Sequence, residues 1–301
     1  MFLLAFGLVI TAGNGCVNPA HQSVADLQAS AATGDARAEY ELAGRYAHGE
    51  GVPKDYVQSA EHLRQAATQG YLLAETDLGS CYARGLGVKQ DYGTALVWFR
   101  KAAARKDSLA EYCLGYAYAH GEGVPRDVDT AIHWWKQSAA QGQLEAQNAL
   151  GRLYLHGEFP GDTKRINYAE SAKWFRQAAE QGDLKAMNNL AFLYQQGLGV
   201  KQNFSEAAKW YRIAAGKGDA MAQANFGLMY QDGAGVPLDM VTAYKWFTLS
   251  AEQGNVVGRH SFDDYNEHHR LTSEQLAQAR RMVAEFHARH AQKRTNQPDG
   301  Q

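Results

Sequence analysis

Cysteine is scarce in this chain: three in 301 residues, at Cys16, Cys81 and Cys113. That is too few for a framework with one bridge per structural unit. An excess of one charge is also missing. Lys and Arg number 30 against 32 Asp and Glu, a formal net charge of −2, so the strongly basic footprint of a nucleic-acid binder is absent. No stretch matches G-x-S-x-G, S-x-x-K, H-E-x-x-H, a Walker loop, C-x-x-C or G-x-G-x-x-G. The sequence therefore offers no motif for nucleophilic, metal-hydrolytic or phosphate-cradling chemistry. We expect neither enzyme activity nor a cofactor.

Lys and Arg are absent before Arg37, and Phe2 to Ile10 is nearly all apolar. Such a stretch is too short to span a bilayer but fits the apolar core of a secretory signal. Ile10-Thr11-Ala12 offers a cleavage site. Gly13-Asn14-Gly15-Cys16 loosely resembles a bacterial lipoprotein box, which makes Cys16 a candidate for lipidation. Two departures stand out: Gly13 and Asn14 replace the usual branched apolar and small residues, and the basic leader is missing. We expect residues 1–20 to be a signal peptide or lipoprotein-type leader. The protein is then exported, to the periplasm or outer membrane of a bacterium.

What the chain has is repetition. Six copies of one pattern open at Ala38, Ala74, Ala110, Ala146, Ala186 and Ala222, with steps of 36 residues (74 − 38) except one of 40 (186 − 146). A period in this range signals a solenoid, whose units cannot each bury their own apolar face. In the second copy Ala74, Leu78, Gly79 and Tyr82 form one helical stripe. Gly85-Leu86-Gly87-Val88 breaks it, and Asp91 is placed to cap a second helix carrying Ala95, Trp98, Phe99, Ala102 and Ala103. All six Trp fall in the second helices, at Trp98, Trp134, Trp135, Trp174, Trp210 and Trp246, and are expected to be core.

The pattern A-x-x-x-L-G-x-x-Y-x-x-G-x-G-V, then D, A, W and A-A-x-x-G, resembles the Sel-1-like repeat, a relative of the tetratricopeptide repeat. The clearest matches run from Ala110 to Gly142 and from Ala222 to Gly254. Ala43 and Ala191 replace the Gly after Leu, His62 replaces the first Trp, and Lys106 replaces a closing Gly. The resemblance implies an all-α fold, an α/α right-handed superhelical solenoid whose first helices line a concave surface. It also implies scaffold or adaptor work rather than catalysis. Some exported, Cys-rich relatives are linked to β-lactam or cell-wall binding, but this chain lacks their regular Cys pairs. The expected organisation is an N-terminal half-repeat cap at 21–36 and six repeats over 37–254. A degenerate repeat with a C-terminal capping helix at 255–291 and a disordered tail at 292–301 follow. Thr272-Ser273-Glu274-Gln275 reads as the capping box of that last helix, with Leu276, Ala279, Val283 and Phe286 on one face.

Binding residues should be those the hairpin does not use for its own packing. On the first helix these fall at the second, third and sixth positions after each leading Ala. The candidates are Tyr40, Glu41, Asp77, Tyr112, Tyr116, Asn148, Arg152, Asn188, Asn189, Phe192, Asn225 and Leu228. Tyr and Arg suit binding hot spots, and Asn amides can bond an extended backbone. The expected partner is a protein or extended peptide, with peptidoglycan or an exopolysaccharide assembly as the alternative and a cell-wall or β-lactam hydrolase as the remote one. No nucleic acid is expected, and membrane contact only through an N-terminal anchor. The insertion at 158–165 reads as a surface loop, and His48, His120 and His156 as turn residues. His260, Asp264 and His268 form a weak metal candidate that a solvated cap also explains. Cys81 and Cys113 are expected to be buried thiols, with a bridge as the alternative.

Overall fold

The computed structural model describes residues 22–157, 163–268 and 270–295. Every regular element among them is helical, and the helices follow one another as hairpins, an all-α solenoid. The chain divides into two compact units, Met1–Ala146 and Gln147–Gln301.

The first unit holds α1 (Val24–Ala32), α2 (Ala36–His48), α3 (Tyr56–Thr68), α4 (Leu72–Arg84), α5 (Tyr92–Ala103), α6 (Ser108–His120) and α7 (Val128–Ala140). It ends in the first turn of α8 (Leu144–His156). From α1 to α7 each helix packs on the next. Short polar side chains start them: Ser23 makes a reciprocal capping box on α1, and Asp55, Asp91 and Asp127 cap α3, α5 and α7. These side-chain oxygens satisfy backbone N–H groups that a helix start leaves open. The first helix of each hairpin ends on a left-handed glycine, for example Gly85 with φ 70°. Two residues on, Gly87 lies so close to the preceding repeat that an added Cβ would sit 1.8 Å from the carbonyl oxygen of Tyr56. That glycine lets consecutive hairpins dock.

The second unit contains the rest of α8, a 3-10 turn at Thr163–Arg165, then α9 (Tyr168–Glu180), α10 (Leu184–Gln196), α11 (Phe204–Gly216), α12 (Ala220–Asp232), α13 (Met240–Glu252), α14 (Val256–Glu267) and α15 (Ser273–Thr295). Asn167, Asn203 and Asp239 cap α9, α11 and α13. Thr272 and Gln275 form the expected capping box, with bonds of 2.9 and 3.3 Å. Ala279, Val283 and Phe286 are buried, and the Phe286 ring stands edge-on to Trp246 at 5.7 Å. The helix α15 runs to Thr295, beyond the expected boundary at 291. Most of the insertion at 158–165 and all of the leader lie outside the described residues.

One expectation needs correction. Trp98, Trp134 and Trp210 are only half-buried; the deepest aromatic stands one residue later, at Phe99, Trp135, Phe175, Tyr211 and Phe247. At Phe99, Trp135, Phe175 and Phe247 the cause is the Gly that follows Leu, or Phe226 in the last case, in the first helix. A Cβ on Gly115 would meet the Trp135 ring at 2.3 Å, so the missing side chain is the seat of that ring. Trp174 and Trp246 are buried as expected, whereas the Trp98 and Trp210 rings lie partly outside, with the ammonium groups of Lys101 and Lys209 5.0 and 5.8 Å over them.

Candidate functional site

In the first unit α2, α4, α5 and α6 surround a cavity of about 390 Å³. Four expected binding residues line it, Tyr40, Asp77, Tyr112 and Tyr116, together with Ser80, Cys113 and the apolar walls Leu96, Phe99 and Ala117. Tyr40, Asp77 and Tyr112 are far more buried than their place on an isolated hairpin suggests, at 3%, 5% and 5% exposure. The physical reason is that neighbouring first helices of this unit cover one another's free faces, as the bond between Tyr40 and Asp77 shows. The cavity is what stays open.

Polar contacts fix its wall. The Tyr40 hydroxyl donates to Asp77 Oδ2 at 2.9 Å. Thr76 Oγ1 donates to Asp107 Oδ1 at 3.0 Å, and the same oxygen accepts from the Ala110 N–H at 2.8 Å. Burial pushes the Asp77 carboxyl up to about 7; the Tyr40 bond opposes that shift and the Asp107 charge adds to it. Burial likewise raises the Cys113 thiol, and holds Cys81 up to about 12. Both cysteines are free and poorly reactive. At the rim the Tyr116 ring stacks on His120, centroids 3.9 Å apart. Glu122, raised by burial and lowered by His120, completes that edge.

The remaining candidates are placed differently. Glu41 is half-buried and paired with Arg37 at 2.8 Å, on the chain's own helix. In the second unit Asn225 donates to Asn188 Oδ1 at 2.9 Å, a bond between successive repeats. Leu228 packs against the cluster of Val241, Tyr244 and Phe247, which corrects its expected solvent exposure. Phe192 is exposed at 38%, Arg152 is exposed, and Asn148 and Asn189 are half-buried. His48 and His120 bond their i−4 carbonyls, Gly44 and Tyr116, as helix-end residues. His268 and Arg270 both pair with Asp264, and among the described residues no group of three His, Cys, Asp or Glu is placed to hold a metal. No described helix is long and apolar enough to cross a membrane.

Sequence reasoning missed a second recurring position, the residue directly after the leading Ala. Glu39, Glu75, Glu111, Gln147 and Gln223 are all buried there. Each meets a second-helix partner or the residue that follows that helix. Glu39 contacts His62 at 2.6 Å and Glu75 contacts Lys101 at 3.0 Å. Gln141 donates to Glu111 at 2.8 Å, Gln181 to Gln147 at 2.9 Å and Gln253 to Gln223 at 2.8 Å. The signal was available: a polar residue at the same phase in five of the six copies. The pairs explain the polarity as packing between helices, and they are not part of the cavity.

Stacked helical hairpins around an open, largely apolar cavity with a few polar groups define a helical-repeat binding scaffold. The Sel1 repeat model matches residues 36–71, 72–107, 108–143, 144–183, 184–219 and 220–255, and the chain belongs to the Sel1 repeat family. Proteins of this family typically mediate protein–protein interactions and are generally non-enzymatic. Among solved structures, the chain is similar to a protective antigen present in uropathogenic Escherichia coli strains that displays an SLR fold. The identity is 34% over 88% of this chain, with a TM-score of 0.77, and the match spans 56% of that protein's length. It is also similar to a Sel1 repeat protein from Oxalobacter formigenes, 29% identical over 77% of this chain and 91% of that one, with a TM-score of 0.67. No curated protein matches the chain.

Proposed function

We propose that this protein is a non-enzymatic interaction scaffold that holds a protein partner at the cavity of its first unit. The observation that carries the reading is the convergence of Tyr40, Asp77, Tyr112 and Tyr116, from three successive first helices, on one space of about 390 Å³. A space of that size admits a side chain of the partner and buries it against apolar walls. The wall is held by hydrogen bonds between repeats, so little ordering is required on binding. The exposed residues Arg152 and Phe192 belong to the second unit and are a separate candidate surface. An envelope setting is part of the proposal and rests on the apolar run from Phe2 to Ile10 alone.

A displayed random-peptide library selected on the folded protein tests this. Enriched peptides should bind the native protein and lose at least ten-fold in affinity to Ser80→Trp, which fills the cavity, with helicity retained. Equal binding to the filled variant, or no enrichment, contradicts the reading.

A further inference from the structure

We infer that the cavity of the first unit receives an arginine or lysine side chain of the partner, an assignment that rests on the reading of this cavity as the partner site. Four carboxylates line it, Asp77, Asp107, Glu122 and Glu145, against a single base among the lining residues, Arg84. The two deeper carboxylates each use one named oxygen for structure. Tyr40 occupies Oδ2 of Asp77, while Thr76 and the Ala110 N–H both fall on Oδ1 of Asp107. The opposite oxygen of each carboxylate is not engaged by these bonds.

The walls match the rest of such a side chain. Leu96, Phe99 and Ala117 give an apolar lining for a methylene stem, the part of Lys and Arg that packs against hydrocarbon. Tyr112 and Tyr116 bring aromatic rings to the same space, and ring faces attract cations most where water is excluded. A guanidinium or ammonium would then make charge-assisted hydrogen bonds at the carboxylate end. Burial works in the same direction: Asp77 is already pushed up to about 7, with Asp107 adding to the push. A cation beside it relieves that strain, whereas an anionic side chain would increase it. A neutral apolar side chain would leave the buried Asp77 carboxylate without compensation.

The test uses three probes on the full chain, followed by chemical-shift titration. They are an acetylated, amidated peptide Gly-Ser-Ala-Arg-Ala-Ser-Gly, the same peptide with citrulline for arginine, and free ethylguanidinium. The arginine peptide should bind at least ten-fold more tightly than its neutral citrulline isostere and than ethylguanidinium, shifting the resonances of Tyr112 and Tyr116. Asp77→Asn should remove that preference, and Glu122→Gln, at the rim, should weaken it several-fold should the first variant fold poorly. Equal affinity for the citrulline peptide overturns the inference while leaving the cavity as a partner site. Ethylguanidinium binding as tightly as the peptide also overturns it, since the ligand is then a free small cation. Binding of no probe overturns it as well, and the library selection decides separately whether the partner reading falls too.

Discussion

Tyr40 and Asp77 belong to successive repeats, and the phenol of the first donates to the carboxylate of the second across 2.9 Å in a buried setting. That bond ties the first two first helices together at the edge of the cavity. It does so at a cost, because burial holds the Asp77 carboxyl up to about 7 against an ordinary 3.8.

The cost has a sign that can be measured. Between about pH 4 and 7 the folded state keeps a proton on Asp77 that the unfolded state has released, so this group's contribution falls as pH rises through that window. Asp77→Asn keeps an acceptor for Tyr40 and removes the charge. It should be more stable than the native protein at pH 8, by on the order of 1 kcal/mol or more, with the advantage shrinking towards pH 4.5. Melting temperatures at the two pH values check this; a gap that does not change with pH contradicts it.

Gly115→Ala puts a methyl group 2.3 Å from the Trp135 ring. Overpacking of this kind costs about 1–3 kcal/mol. Adding Trp135→Leu should restore much of the loss, because the first repeat already combines Ala43 with Leu63 in one buried cluster. Urea midpoints of the single and double variants decide it, and a neutral Gly115→Ala would contradict the proposed seat for the ring.

Lys106 stands at φ 62°, where the other repeats carry left-handed glycines such as Gly70, Gly142 and Gly218. A non-glycine residue in that conformation costs about 1–2 kcal/mol. Lys106→Gly should therefore raise the thermal midpoint, by an amount corresponding to about 1 kcal/mol. No change in scanning calorimetry would show that the turn carries no strain.

Glu75 has no exposed side-chain surface and lies 3.0 Å from Lys101 and 3.4 Å from Arg105. Replacing both cations, as Lys101→Met with Arg105→Gln, leaves a buried charge without a counterion and should cost about 3 kcal/mol. Adding Glu75→Gln should recover most of that by making the amide pair that Gln147 and Gln181 already form at 2.9 Å. Denaturant melts of the double and triple variants test the coupling; equal losses would contradict it.

The hairpins, their glycine ends and their acidic or amide caps were legible because each is a local event with one physical cause. The C-terminal capping box at Thr272 is of the same kind. The burial of Tyr40, Asp77 and Tyr112 was not legible, because a helical wheel counts a hairpin's own partner and omits the next repeat. Leu228 shows the same effect in the second unit, where α13 supplies the cover. The shift of the core from Trp98 to Phe99 was hidden because Trp is the more conspicuous residue, while the deciding feature is an absent side chain at Gly79, whose added Cβ would meet Phe99 at 2.7 Å. The Glu39, Glu75 and Glu111 series is buried, and it went unread because its second-helix partners lie far along the chain.

The most direct measurement is photo-cross-linking of a library-selected peptide to the folded chain carrying benzoylphenylalanine at one of two places. One is Ser80, in the cavity wall, and the other is Val97, 61% exposed on α5 and outside the lining. The account predicts an adduct from position 80 and none from position 97, with mass spectrometry placing the cross-link on or next to a basic residue of the peptide. An adduct from position 97 alone, or equal yields from both, would contradict it.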